Sequence, residues 1–132
     1  MTTTLVLLTL TLTTAPTALA HPRVTGISAE GKRIRTLVYR SDPCLARIIE
    51  RETGGTWEVT LYNGFGHWHR GELMKKLSYG LPQSWPAEKL ASAGPDWKTN
   101  WRTQLKWARD YAIERYGSAC AALAFWLKNR WW

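Results

Sequence analysis

SDPCLARIIERETGG, residues 41–55, is the stretch on which the reading of the fold turns. Asp42 can accept hydrogen bonds from the free amides of a first helical turn, and Pro43 has the fixed φ and missing N–H that suit the first helical position. Gly54-Gly55 ends that helix. Between them Leu45, Ile48 and Ile49 stand at i, i+3 and i+4 and share one face. At about 100° per residue from Leu45, Ile48 falls at about 300° and Ile49 at about 40°, so Glu52, at about 340°, lies inside the apolar stripe. Glu50, at about 140°, falls on the solvent side. A carboxylate on an apolar face must be paired, neutralised or used, because desolvation disfavours its charge and raises its pKa. A Glu poised in that way stays protonated near neutral pH and can give a proton to a leaving oxygen, the general-acid half of glycoside cleavage. The structural alternative is a salt bridge to one of the basic side chains, or fraying beside Gly54.

Downstream, GGTWEVTLYNGFGHWHRG is rich in Gly and aromatics, and Thr56 to Leu61 alternates well enough for one short strand. YGLPQSWPAEKLASAGPDW, with its prolines and glycines, predicts loops and one helical turn. A long helix is predicted from Trp101 to Tyr116, capped by Thr99 or Asn100 and closed by Gly117. Its stripe is Trp101, Leu105, Ala108 and Ala112, widened by Trp107 and Tyr111. A further helix opens at Ser118, carries Cys120, Leu123, Ala124 and Leu127, and runs out near Trp131. Upstream, residues 21–40 form a basic arm with scattered apolar residues, either extended or a short strand or helix packed on the domain. The fold class is therefore mainly α, a small helical domain with an irregular or short-strand cleft segment.

The first twenty residues are set apart from this domain. MTTTLVLLTLTLTTAPTALA has no charge, an apolar core too short to span a bilayer, and small residues at Ala18 and Ala20 where a signal peptidase reads. It lacks the positive start usual in such signals. The reading is a signal peptide over 1–20, cleaved after Ala20, with an uncleaved membrane tether as the alternative. Export makes an even cysteine count a disulfide, so Cys44 and Cys120 are expected to pair, a link worth on the order of 4 kcal/mol in the chain-entropy model. His21, His67 and His69 do not stand at ligand spacing from either Cys, and neither a metal nor a cofactor is expected. His67 and His69 read as loop residues.

The whole chain is 132 residues with 18 Lys+Arg against 10 Asp+Glu, net charge +8, and nine Trp. This excludes a disordered chain, which lacks aromatics, a membrane-spanning chain, and folds that need about 250 residues. The positive balance suits a polyanion: nucleic acid, anionic lipid or an acidic cell wall. Flat rings stack on sugar CH faces or on bases. Trp57, Trp68 and Trp85 fall in irregular segments that can line a cleft, whereas Trp101 and Trp107 have helical core spacing. A two-carboxylate hydrolase needs a partner acid, about 5 Å away when retaining and about 6.5–9.5 Å when inverting. Glu58, Glu72 and Asp96 are candidates, none of them picked out by pattern.

The segment from Tyr79 to Cys120 resembles the C-terminal half of small secreted transglycosylase-like domains of actinobacteria and their phages, in the soluble lytic transglycosylase and goose-type lysozyme group. That family's tyrosine-glycine-aliphatic-proline-glutamine loop is matched by Tyr79 to Gln83, and its aspartate-tryptophan by Asp96-Trp97. Its threonine-asparagine cap is matched by Thr99-Asn100, its glutamine by Gln104, and its tyrosine-glycine-serine before a cysteine by Tyr116-Gly117-Ser118 before Cys120. Its catalytic glutamate ends a helix in arginine-glutamate-serine, and Arg51-Glu52-Thr53 is similar. This is the glutamate that the helical angle had already selected. Thr53 replaces the usual Ser, Trp101 the frequent Pro, and GFGHWHRGELMKKLS after Asn63 is an insertion that reshapes one wall of the cleft. The resemblance spans roughly Ser41 to Trp132.

It implies a lysozyme-like domain over 41–132 that cleaves the MurNAc-GlcNAc glycan of peptidoglycan as a lytic transglycosylase. Glu52 would be the single catalytic acid, with Tyr79, Gln83, Asn63 and Tyr111 lining the glycan site. The partner would be peptidoglycan strands, met by a secreted, wall-associated monomer with no specific nucleic-acid binding and no stable membrane insertion. Two other readings stand beside it: a non-catalytic wall-binding module of the same fold, and a basic secreted protein acting on membrane or nucleic acid.

Overall fold

The structure, a computed structural model, describes residues 26–63 and 77–132. The leader, His67, His69, Trp68 and Glu72 lie outside the described residues. Those described form helices α1 (Ala29–Ser41), α2 (Pro43–Glu52), α3 (Trp101–Tyr116) and α4 (Ala119–Asn129), a 3-10 helix (Ala87–Ala93), and a two-stranded antiparallel sheet. Strand β1 (Tyr62–Asn63) pairs with β2 (Ser78–Tyr79) in the register Tyr62 to Tyr79 and Asn63 to Ser78.

Each of the four α-helices begins where a side chain can satisfy its first amides. Ser28 Oγ accepts from Gly31 N–H, Asp42 Oδ1 from Leu45 N–H, Asn100 from Arg102 N–H and Ser118 Oγ from Ala121 N–H. α3 ends at Gly117, whose φ of 90° is left-handed, as its predicted closing residue requires. Of the forms open to residues 21–40, the one seen is a helix packed on the domain. α1 buries Ile34 and Val38 in the same cluster as Leu45, Ala46 and Ile49 of α2 and Leu105 and Ala108 of α3. Gly31 lets α1 approach closely, since a Cβ there would lie 2.9 Å from the Thr56 carbonyl oxygen. α2 is the central element: Ile48, on the same face, packs into a second cluster with Ala112, Ala122 and Leu123. The Cys44–Cys120 disulfide joins the first turn of α2 to the first turn of α4.

The strand expected over Thr56 to Leu61 does not form. Trp57 takes a left-handed φ of 53° and is buried, so the chain turns there and pairing begins one residue past Leu61. The alternation was real, with Trp57 and Val59 both buried, but it belongs to a turn wedged against α1 and α2. Glu50 falls on the partly exposed side of α2, where it accepts from the Trp57 indole at 2.5 Å and from Arg35 at 2.9 Å. No helix among the described residues is long and apolar enough to cross a membrane.

Candidate active site

The loop after β2 forms one wall of the site. Tyr79 and Ser84 exchange both backbone hydrogen bonds around Gly80-Leu81-Pro82-Gln83. Gln104 of α3, fully buried, fixes this loop: its Oε1 accepts from Leu81 N–H, and its Nε2 donates to the carbonyls of Val59 and Trp97. Three irregular segments are thereby tied to one helix. Gly80, at φ 72°, passes so close that a Cβ would stand 2.5 Å from Gln104 Oε1. Gln83 turns back with a left-handed φ of 49°. Its Nε2 donates to the Leu61 and Gly80 carbonyls, and its Oε1 accepts from Asn63 Nδ2 at 2.8 Å.

Between this loop, the C-terminal end of α2, α3 and the end of α4 lies a cavity of about 390 Å³, within the usual ligand range of about 300–1,000 Å³. Glu52 is the one acidic side chain in its lining among the described residues; Lys89, Arg115 and Arg130 are its basic ones. Trp85, Trp107, Tyr111, Trp131 and Trp132 supply aromatic surface. Trp85 and Trp131 are 64% and 51% exposed, so large flat rings stand open at the rim. Trp107 stacks on Tyr111 with centroids 4.8 Å apart and planes 14° from parallel.

Burial raises the Glu52 pKa above its ordinary value, opposed in part by a hydrogen bond from the Trp126 indole N–H to Oε1 at 2.5 Å. The Arg51 and Arg130 guanidiniums lie 5.5 and 5.6 Å from that indole ring. The result is a carboxyl inclined to hold its proton, oriented by a fixed donor, in a cavity otherwise basic and aromatic.

Glu52, Gln83 and Tyr111 thus come together as the sequence suggested, and Asn63 stands behind Gln83 as its hydrogen-bond partner rather than in the lining. Tyr79 does not line the cavity. Its ring packs edge-on against Trp97 in a buried cluster and its hydroxyl donates to the Lys98 carbonyl, so it supports the wall from behind. Of the tryptophans read as cleft residues, Trp85 lines the cavity and Trp57 is core, while Trp107, read as core, reaches the cavity. Neither Glu58, bonded to Thr60, nor Asp96, bonded to Asn100 and Thr103, lines it.

Comparison with family models, with curated proteins and with solved structures gives no match. The site is therefore read on its own chemistry.

Sequence reasoning missed Trp126 because it read the stripe of this helix as Cys120, Leu123, Ala124 and Leu127, of which only Leu123 is buried; the face turned inward is Ala119, Ala122, Leu123 and Trp126. A signal was present. Glu52 follows Cys44 by eight residues and Trp126 follows Cys120 by six, rises of about 12 and 9 Å along two helices that leave the bridge side by side. Once the cysteines pair, the two side chains are brought within reach. Among the described residues no group of three or more His, Cys, Asp or Glu could hold a metal ion.

Proposed function

We propose that the protein is a secreted, lysozyme-like lytic transglycosylase that cleaves the MurNAc-GlcNAc glycan of peptidoglycan, with Glu52 as its catalytic acid and base. The observation that carries this reading is the solitary half-buried Glu52 in a basic, aromatic cavity, its pKa raised by desolvation and its carboxyl held by Trp126. A protonated Glu52 gives its proton to the glycosidic oxygen. The 6-hydroxyl of the same sugar attacks the anomeric carbon, and the Glu52 carboxylate takes up the hydroxyl proton, leaving a 1,6-anhydro end. This route needs no second carboxylate, in keeping with a lining whose described residues offer none; a two-carboxylate hydrolase would require one. Open rings at Trp85 and Trp131 suit stacking on sugar faces, and Gln83 is fixed where its backbone and side chain can border a sugar.

The deciding experiment compares wild type with Glu52→Gln on purified cell walls, with mass spectrometry of the products. Wild-type clearing with anhydro ends, lost in the variant, is expected. Equal clearing by both, or by neither, would sink the enzyme reading, and reducing ends would convert it to a hydrolase. The exposed Trp85 and Trp131 also favour a non-catalytic wall-binding module, for which both proteins would bind wall fragments equally and clear none.

A further inference from the structure

Arg115 of α3 stands in the cavity wall held by aromatic rings. Its guanidinium lies 5.7 Å from the Tyr111 centroid, 5.7 Å from Tyr116 and 5.6 Å from Trp131, and one N–H reaches the Tyr111 hydroxyl at 3.0 Å. Rings within about 6 Å attract a cation through their negative faces without neutralising it. No carboxylate among the described residues pairs with Arg115; the ion pairs seen involve Arg35, Lys106 and Arg109. Arg115 is itself exposed, so its charge remains available to the cavity while the rings and the Tyr111 hydroxyl favour one direction for its fork. Arg130 and Lys89 add positive charge to the same lining, against Glu52 alone. A planar fork with several N–H donors, standing in a cationic pocket, matches a carboxylate in bidentate fashion far better than it matches a neutral amide.

In the glycan proposed above, every second sugar carries a lactyl ether that ends in a carboxyl group. Where a stem peptide is attached, that carboxyl is a neutral amide; where the peptide has been removed, it is a carboxylate. Resting on the glycan reading, we infer that Arg115 recognises the free lactyl carboxylate, so that the preferred substrate is peptide-stripped glycan rather than the intact wall polymer. The reaction that must supply this substrate is hydrolysis of the lactyl amide, in which water adds across the C–N bond to leave the carboxylate on the sugar and the amine on the peptide. The cleavage proposed here then acts second.

The test uses three glycans of equal chain length: peptide-bearing, peptide-free, and peptide-free with the lactyl carboxylates converted to methylamides. Wild type should cleave the free-carboxylate glycan about tenfold to a hundredfold faster than the methylamide, the range for hydrogen bonds to a charged partner. Arg115→Gln should bring the two rates together, and Arg115→Lys, which keeps the charge but not the fork, should fall between. Equal wild-type rates on these two glycans would overturn the inference and leave the cleavage reading intact, as would an equal drop on all three glycans in Arg115→Gln. Absence of cleavage by wild type would count against the transglycosylase reading alone. Tryptophan-fluorescence titration of short free-carboxylate and methylamide glycans then decides the inference, with a tenfold affinity gap supporting it and equal affinities refuting it.

Discussion

Glu52 is a side chain pulled in two directions, and the balance can be measured. Burial favours its neutral form and the Trp126 indole favours its charged form. Trp126→Phe removes only the second influence, so the carboxyl should hold its proton to still higher pH. Since a general acid must be protonated, the alkaline limb of the kcat/KM profile should move upward in that variant. A purely structural loss would lower rates at every pH and leave the limb in place. The same group affects stability. Its folded pKa lies above the unfolded value of 4.5, so its contribution is complete below 4.5 and is lost as pH rises through the folded value. Glu52→Gln removes that loss while its amide oxygen can still accept from Trp126. The variant should therefore melt higher than wild type at pH values above the folded pKa of Glu52 and level with it below pH 4.5, as thermal denaturation from acid to alkaline pH would show. The inward placement of Glu52 was legible from helical angle, whereas its reading as the acid also drew on the resemblance at Arg51-Glu52-Thr53. Trp126 was not legible, because nothing in its own helix distinguishes it from the aromatic residues that merely pack.

At the scale of elements, helix boundaries were the most legible part of the chain, and for a local reason. Asp42-Pro43, Asn100, Gly117 and Ser118 act through hydrogen bonds and φ angles within a few residues of themselves. In sequence, the described parts of the chain between Trp57 and Asn100 read as loops with one short strand and one helical turn, and that strand is misplaced because the order there comes from far along the chain. Gln104 bonds to Val59, Leu81 and Trp97, and a buried glutamine on a helical stripe gives no sign of which loops it will hold. Gln104→Leu would keep much of the volume but leave three buried backbone groups without partners. It should cost roughly 3–5 kcal/mol in denaturant unfolding, with the cavity wall loosened first. Gly80→Ala should show a similar wall defect, since its Cβ would overlap the Gln104 carboxamide at a left-handed φ. If either variant unfolded at the wild-type midpoint, Gln104 would not be the anchor described.

On the scale of the molecule, charge and covalent linkage divide the labour. The net charge of +8 was visible in the composition, but its concentration as Lys89, Arg115 and Arg130 around one acid was not, because they come from three separate elements. The disulfide could be expected from export and an even count, and it fastens α2 to α4 beside their N-termini. Breaking it with Cys44→Ser and Cys120→Ser should remove on the order of 4 kcal/mol, a large share of the roughly 5–15 kcal/mol typical of a domain. Thermal melting would then fall by about 15 °C or more. Glu52 and Trp126 sit further along the two helices that this bridge holds together. A reduced chain should therefore lose melting temperature and the placement of its carboxyl in one step, and its glutamate should titrate closer to an ordinary acid. On the proposed reading of a secreted enzyme that cuts cell walls, oxidation would be the arming event, and newly made chains in a thiol-rich cytoplasm would be poorly armed.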